Sequence, residues 1–267
     1  MSTIVQALGD GAVVAKRNLI KVKRVPDLLV ASTLAPIMFV LLFSYVFGGS
    51  IDIPGMDYRE FLMAGIFAQT MVFGATITGS GLADDMQKGV IDRFRSLPMA
   101  RSAVLIGRTT SDLANNVIVI TVMSVTGLLV GWRIHSSFFE ALAGFALLLL
   151  FAYAVSWGMA IVGLMVRSPE VFNNASFIVI FPLTFIANTF VQESRLPGVL
   201  KVFAEWNPVS AVTQAARELF GNTNPAFPPP DVWSLRHPVL MTLIWVVVFL
   251  AVFVPLATRQ YRKAVSR

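Results

Sequence analysis

Asp85, Lys88, Gly89, Asp92, Arg93, Leu97 and Pro98 belong to the densest charged block of this 267-residue chain, Asp84-Asp-Met-Gln-Lys-Gly-Val-Ile-Asp-Arg-Phe-Arg-Ser-Leu-Pro-Met-Ala-Arg101. The chemistry these residues offer is ionic docking. Asp85 with Lys88, and Lys88 with Asp92, stand three and four residues apart, the spacing of neighbours on a helix surface. Met86, Val90, Phe94 and Leu97 recur at the same period, so the spacing predicts a short helix over 84–101, apolar side on a membrane, stopped by Pro98. Gly89 permits close approach of a partner, and Asp92 and Arg93 supply polar contacts to it. A solvated loop is the plainer alternative.

A second constellation lies farther along. Asn174 and Asn188 are fourteen residues apart, close to four turns at ~3.6 residues each, with Phe177, Phe181 and Phe185 between them. Amides buried against lipid are costly, so this face is expected to line a cavity opposite Thr70, Phe73 and Ile77. Aromatics there would hold apolar parts of a passing molecule, and amides its polar groups. The competing reading is a packing seam.

Other chemistry is missing from the sequence. No Gly-x-x-x-x-Gly-Lys-Ser/Thr run is present to cradle nucleotide phosphates. The two histidines, His135 and His237, form no ligand pair, and the chain has no cysteine, so thiolate metal sites and catalytic thiols are excluded. No acid, base and nucleophile converge, which argues against a membrane-embedded enzyme. No carboxylate falls inside any predicted span; Glu140 reads as interfacial.

The elements that must position these residues follow from composition. With 56% hydrophobic and 13% charged residues and a mean hydropathy of +0.72, the chain is too apolar for a soluble domain and reads as an integral membrane protein. Six stretches reach the ~20 residues a membrane helix needs, about 28–47, 61–83, 113–131, 141–166, 171–190 and 238–257. Continuous runs such as Leu142-Ala-Gly-Phe-Ala-Leu-Leu-Leu-Leu150 lack the alternation of a barrel strand. The fold class expected is all-α and polytopic, a single domain over 1–267, with no internal repeat.

Fifteen of the twenty-one Lys and Arg fall in 1–27, 84–112, 167–170 and 258–267, and six in the other connections. Positive charge stays inside, so both termini are expected in the cytosol and 191–237 outside. The net charge of +6 sits at membrane boundaries and does not argue for nucleic acid. No signal-peptide-like apolar core precedes the first span. Residues 3–25 pair a basic stripe, Arg17, Lys21 and Arg24, with an apolar one, Ala15, Leu19 and Val22, the pattern of an interfacial helix on lipid ended by Pro26.

Small residues in the second span, Gly65, Gly74, Gly79 and Gly81, predict close helix packing. Arg108, Asp112, Asn115 and Asn116 read as hydrated groups near an interface. In the outer connection, Val199, Val202, Phe203 and Trp206 mark one amphipathic helix, and Asn207-Pro208 caps a second that ends at Gly221. Both are expected to dip into the outer leaflet.

Three blocks together resemble the ABC-2 type permeases, in particular their daunorubicin-resistance-like branch of drug and lipid exporters. They are Lys88-Gly-Val-Ile-Asp-Arg-Phe-Arg-Ser-Leu-Pro-Met99, then Arg167-Ser-Pro-Glu170 with Phe181-Pro-Leu-Thr-Phe185, then Leu196-Pro-Gly198 with Asn207-Pro208, Arg217 and Gly221. The resemblance implies a permease that pairs with a second copy or a close paralogue in the plasma (inner) membrane. It also implies a separate ABC ATPase subunit holding the ATP and Mg, so that no cofactor belongs to this chain. Residues 84–101 would be the helix that couples the two, and the cargo a hydrophobic or amphipathic drug or lipid. A lipid-linked glycan exporter, and a channel or assembly scaffold, are the alternatives. One departure from the family stands out: Val191-Gln192-Glu193 follows the fifth span where proline is frequent.

Overall fold

The computed structural model describes residues 9–16, 20, 26–47, 55–91, 103–190, 196–224 and 231–265. The chain is all-helical, without a strand among the described residues. Helix α1 (Pro26–Leu42) continues as a π-helical turn (Phe43–Phe47). Then follow α2 (Tyr58–Gly74), α3 (Thr76–Gln87), α4 (Ala103–Val130), α5 (Phe138–Met165) and α6 (Pro169–Phe185). Short helices α7 (Gly198–Trp206), α8 (Pro208–Phe220) and α9 (Trp233–Arg236) precede α10 (Pro238–Val265).

Among the described residues four helical stretches are long and apolar enough to cross a membrane: Tyr58–Gln87, Ala103–Val130, Phe138–Met165 and Pro238–Ala264. The predicted first span is covered by α1 and its π-helical turn, Pro26–Phe47, whereas the fifth is helical but shorter, α6 having 17 residues. It stops at Phe185 instead of running to 190, and residues 186–190 form a bend and turn.

Local sequence sets several of these ends. Ser137 opens α5 with a capping box: its Oγ accepts from the Glu140 N–H, and the Glu140 carboxylate accepts from the Ser137 N–H at 2.9 Å. Glu140 is thus a cap. Asn207 caps α8, accepting from the Val209 N–H at 2.8 Å, and Pro208 takes the first helical position. Gly221, at φ +70, ends α8 in the left-handed region open to glycine.

Helix α5 sits at the centre, packed against α10, α3, α8, α4 and α2. At one end Phe67, Trp132, Phe145 and Phe220 form an aromatic cluster with centroid separations of 4.8 to 6.0 Å. The buried Trp132 donates its indole N–H to Asn222 Oδ1 at 2.8 Å, satisfying its one polar atom. The second-span glycines sit where helices crowd. A Cβ on Gly163 of α5 would overlap the backbone of Gly79 on α3, and one on Gly79 would meet the Phe172 ring.

Three expectations about these elements change. The groups read as hydrated are buried: Asp112 is 7% exposed, Asn115 7% and Asn116 3%. Helix α4 begins at Ala103, ten residues before the predicted span, so Asp112 is a carboxylate inside a membrane helix. Its Oδ2 accepts from Thr78 Oγ1 at 2.6 Å and lies 3.4 Å from Arg108 Nε, a distance of attraction without hydrogen-bond alignment. Arg108 in turn donates to the Ile77 carbonyl at 3.2 Å. The sequence pattern missed this cluster because hydropathy falls at Arg108 and Asp112 while the helix's own hydrogen bonding continues.

Residues 9–16 are helical. Val14 and Ala15 are buried, with Gly107 of α4 against Val14. This part of the interfacial stripe therefore packs on protein. Arg17, Leu19, Lys21, Val22 and Arg24 lie outside the described residues.

Candidate functional site

Helices α1, α2 and α6 enclose an apolar cavity of about 390 Å³, half open to the surroundings. Its α6 wall is Phe177, Phe181 and Phe185; its α2 wall is Ile66, Gln69, Thr70 and Phe73; its α1 wall is Ala35, Pro36 and Phe39. The spacing of four residues puts the three α6 rings on one face, where Phe177 and Phe181 have centroids 5.0 Å apart and Phe181 and Phe185 4.2 Å apart. All three remain exposed on the chain, at 53%, 40% and 37%, so they are not a closed packing core. Gln69 and Thr70 are the polar side chains of the lining.

The structure brings together Thr70, Phe73, Phe177, Phe181 and Phe185 from the predicted set, and leaves out Ile77, Asn174 and Asn188. Ile77 lies beyond the Ala75 interruption between α2 and α3, where its carbonyl serves Arg108. Asn174 is exposed near the start of α6. Asn188 is 1% exposed and stands off the aromatic face because α6 has already ended; Oδ1 and Nδ2 of its side chain have no hydrogen-bond partner. The amide-and-aromatic face is therefore an aromatic face alone. Sequence reading missed the α1 wall, although Pro36, which breaks the backbone ladder of α1, was its available signal.

Around the end of α6 a polar joint connects to α8. Asn207 Nδ2 donates to the Leu183 carbonyl at 2.7 Å, and the Asn188 N–H donates to Ser210 Oγ at 3.0 Å. Arg217, 3% exposed, donates to the carbonyls of Phe61, Asn188 and Thr189 at 3.0, 2.7 and 3.3 Å, and its guanidinium lies 3.7 Å over the Phe61 ring. Carbonyls freed by the end of a helix are met here by donors from another helix.

At the other end of the α2–α3 rod, the charged block begins within the helix. Asp84 and Asp85 are the last turn of α3, not the start of a separate surface helix, and Lys88 pairs with Asp84 at 2.8 Å. The expected Asp85–Lys88 pairing gives way to this one. Gly89 adopts φ +64, turning the chain so that Ile91, not Val90, is buried beside Leu82, Leu105 and Trp157. A left-handed residue shifts the helical phase, which is why a single period drawn from Met86 through Val90 fails. Asp92, Arg93, Leu97 and Pro98 lie outside the described residues.

The described residues form an apolar helical bundle with a lateral aromatic cavity. Residues 12–220 match the ABC-2 type transporter family, and the chain belongs to that family. It is similar to the daunorubicin resistance ABC transporter permease protein DrrB1 of Streptomyces coeruleorubidus, 33% identical over 246 residues, 92% of this chain and 83% of that one. It is also similar to the doxorubicin resistance ABC transporter permease protein DrrB of Mycobacterium tuberculosis (26%, over 81% and 78% of the two chains). The inner membrane transport permease YadH of Escherichia coli is 22% identical, over 87% and 88%. All three relatives are named as transport permeases.

Proposed function

We propose that this chain is the membrane subunit of an exporter that moves a hydrophobic or amphipathic drug or lipid out of the cytoplasm or inner leaflet, driven by ATP hydrolysis in a separate ABC ATPase. The observation that carries the reading is the aromatic cavity. Its ~390 Å³ falls in the range of small-molecule pockets, and its rings stand exposed on a single chain as a shared interior would require. A second permease copy or close paralogue completes the wall opposite α6. The arrangement in the membrane is six helices with both termini cytosolic in the inner membrane, α1 with its π-helical turn and α6 supplying the other two spans, and α7 and α8 dipping into the outer leaflet.

Two of these relatives are named for daunorubicin and doxorubicin resistance, which makes daunorubicin the probe of choice. Phe181→Ala is expected to leave the chain folded, because the ring is half-exposed, while daunorubicin efflux falls about fivefold to tenfold for the loss of ~1–1.5 kcal/mol of aromatic contact. Efflux rates from cells producing chain and ATPase, against a size-exclusion profile of the purified chain, separate the outcomes. Loss of folded protein in step with loss of efflux would instead mark the rings as a packing seam.

Coupling is assigned to the block that starts at Asp85 and runs through Lys88, Gly89, Asp92, Arg93, Leu97 and Pro98. Reversing charge at both Asp92 and Arg93 should leave the permease in the membrane and the ATPase hydrolysing, yet reduce transported drug per ATP hydrolysed to near background. An unchanged ratio would exclude the block as the docking element.

A further inference from the structure

The geometry points to Arg217 as the residue that holds shut an aromatic closure, Phe185–Phe190–Phe43, across one end of the cavity; the inference rests on the transport reading above. Phe39 on the α1 wall stacks on Phe43 with centroids 5.8 Å apart, and Phe43 stacks on Phe190 at 4.6 Å and 14°. Phe190 meets Phe185, on the α6 wall, at 5.4 Å. Four rings thus run without a gap from one wall of the cavity to the other. Phe43 opens the π-helical turn that continues α1, and such turns shift the face a helix presents, which is why they recur at functional sites.

The ring that makes the bridge belongs to neither wall. Phe190 sits on the turn after α6, and that turn is held chiefly from α8. Arg217 takes the Asn188 and Thr189 carbonyls, and Ser210 takes the Asn188 N–H. Asn188 contributes nothing through its own buried amide, so the turn is fixed by the backbone bonds to α8 and by Thr189 Oγ1, which donates to the Thr184 carbonyl at 3.1 Å. Arg217 is itself anchored on the Phe61 carbonyl and ring of α2. A displacement of α8 would draw on residues 188–190 through Arg217 and Ser210, against the bonds of Thr189 Oγ1 to the Thr184 carbonyl and of Asn207 Nδ2 to the Leu183 carbonyl. Opening the closure therefore requires release of the turn from Arg217, which acts as a positioning residue for it.

The absence of cysteine makes the test direct. In membranes containing the full chain, the pair Phe43→Cys and Phe190→Cys should be joined through disulfides by a short bifunctional methanethiosulfonate that spans the space of the two stacked rings, and failure to do so in folded protein overturns the closure. With Phe190→Cys alone, an impermeant maleimide should react slowly, and adding Arg217→Met should raise that rate about tenfold, the effect of losing charge-assisted hydrogen bonds. Arg217→Lys should raise it less, and Ser210→Ala, which removes only the bond to the Asn188 N–H, should shift it in the same direction should Arg217→Met not fold. Equal rates in folded variants overturn the latch. In cells that also make the ATPase, the cross-link should stop daunorubicin efflux and dithiothreitol restore it; efflux that persists through the cross-link overturns the gate. A parent chain that exports no daunorubicin sinks the drug reading, while the cross-linking and labelling results still decide the latch.

Discussion

Asp112→Ala is expected to cost the folded chain about 3–5 kcal/mol, because it leaves the Arg108 guanidinium buried without its counter-charge. Arg108 and Asp112 side chains are only 15% and 10% exposed, so water does not replace the lost partner. Thr78 also loses the acceptor of its 2.6 Å hydrogen bond. The direction reverses in the double variant Arg108→Met with Asp112→Leu, where no charge is left stranded and apolar packing replaces the pair; this variant should recover most of the stability. Thermal unfolding in detergent of Arg108→Met, Asp112→Leu and the double variant closes the cycle, beside Asp112→Ala. A double variant as unstable as Asp112→Ala would show that the carboxylate does more than neutralise Arg108.

Gly163→Ala should destabilise by about 3 kcal/mol, the upper part of the range for overpacking. Its Cβ would meet the backbone of Gly79, and backbone cannot rotate aside as a side chain can. α3 and α5 would have to separate, loosening the cluster that buries Leu82, Trp157 and Ile91. Gly198→Ala, which meets nothing within 4 Å at the start of α7, is the matched control and should change stability by no more than ~0.5 kcal/mol. Melting temperatures of the two purified variants are the measurement. Equal values would mean that the α3–α5 contact yields more easily than its geometry indicates.

How much of this was legible beforehand depended on whether the signal was local. The caps at Asn207 and Gly221 lie in adjacent residues whose side-chain and backbone chemistry acts within one turn, and α8 ends where they say. The aromatic face of α6 was readable because Phe177, Phe181 and Phe185 keep one helical period. Extending that period to Asn188 failed because it assumed an unbroken helix, and α6 stops at Phe185. The start of α4 was misplaced for a related reason: hydropathy marks where apolar character begins, whereas backbone hydrogen bonding carries the helix back to Ala103 past Arg108 and Asp112. Contacts between distant residues had no sequence signature at all. Nothing in the spacing of Arg217 and Phe61 announces that a guanidinium lies over the ring 156 positions earlier.

The rod made by α2 and α3, thirty residues from Tyr58 to Gln87, has a consequence in terms of bilayer thickness. At ~1.5 Å per residue it is about 45 Å long, against a hydrocarbon core of roughly 30 Å. It must therefore tilt, or project some 15 Å beyond the lipid tails, and Asp84, Asp85 and Glu60 near its two ends favour projection. In a thicker membrane more of the same rod is swallowed, and its charged end is drawn toward the headgroups. Lipid chain length thereby becomes a variable that sets how far the Asp84–Lys88 end reaches into water.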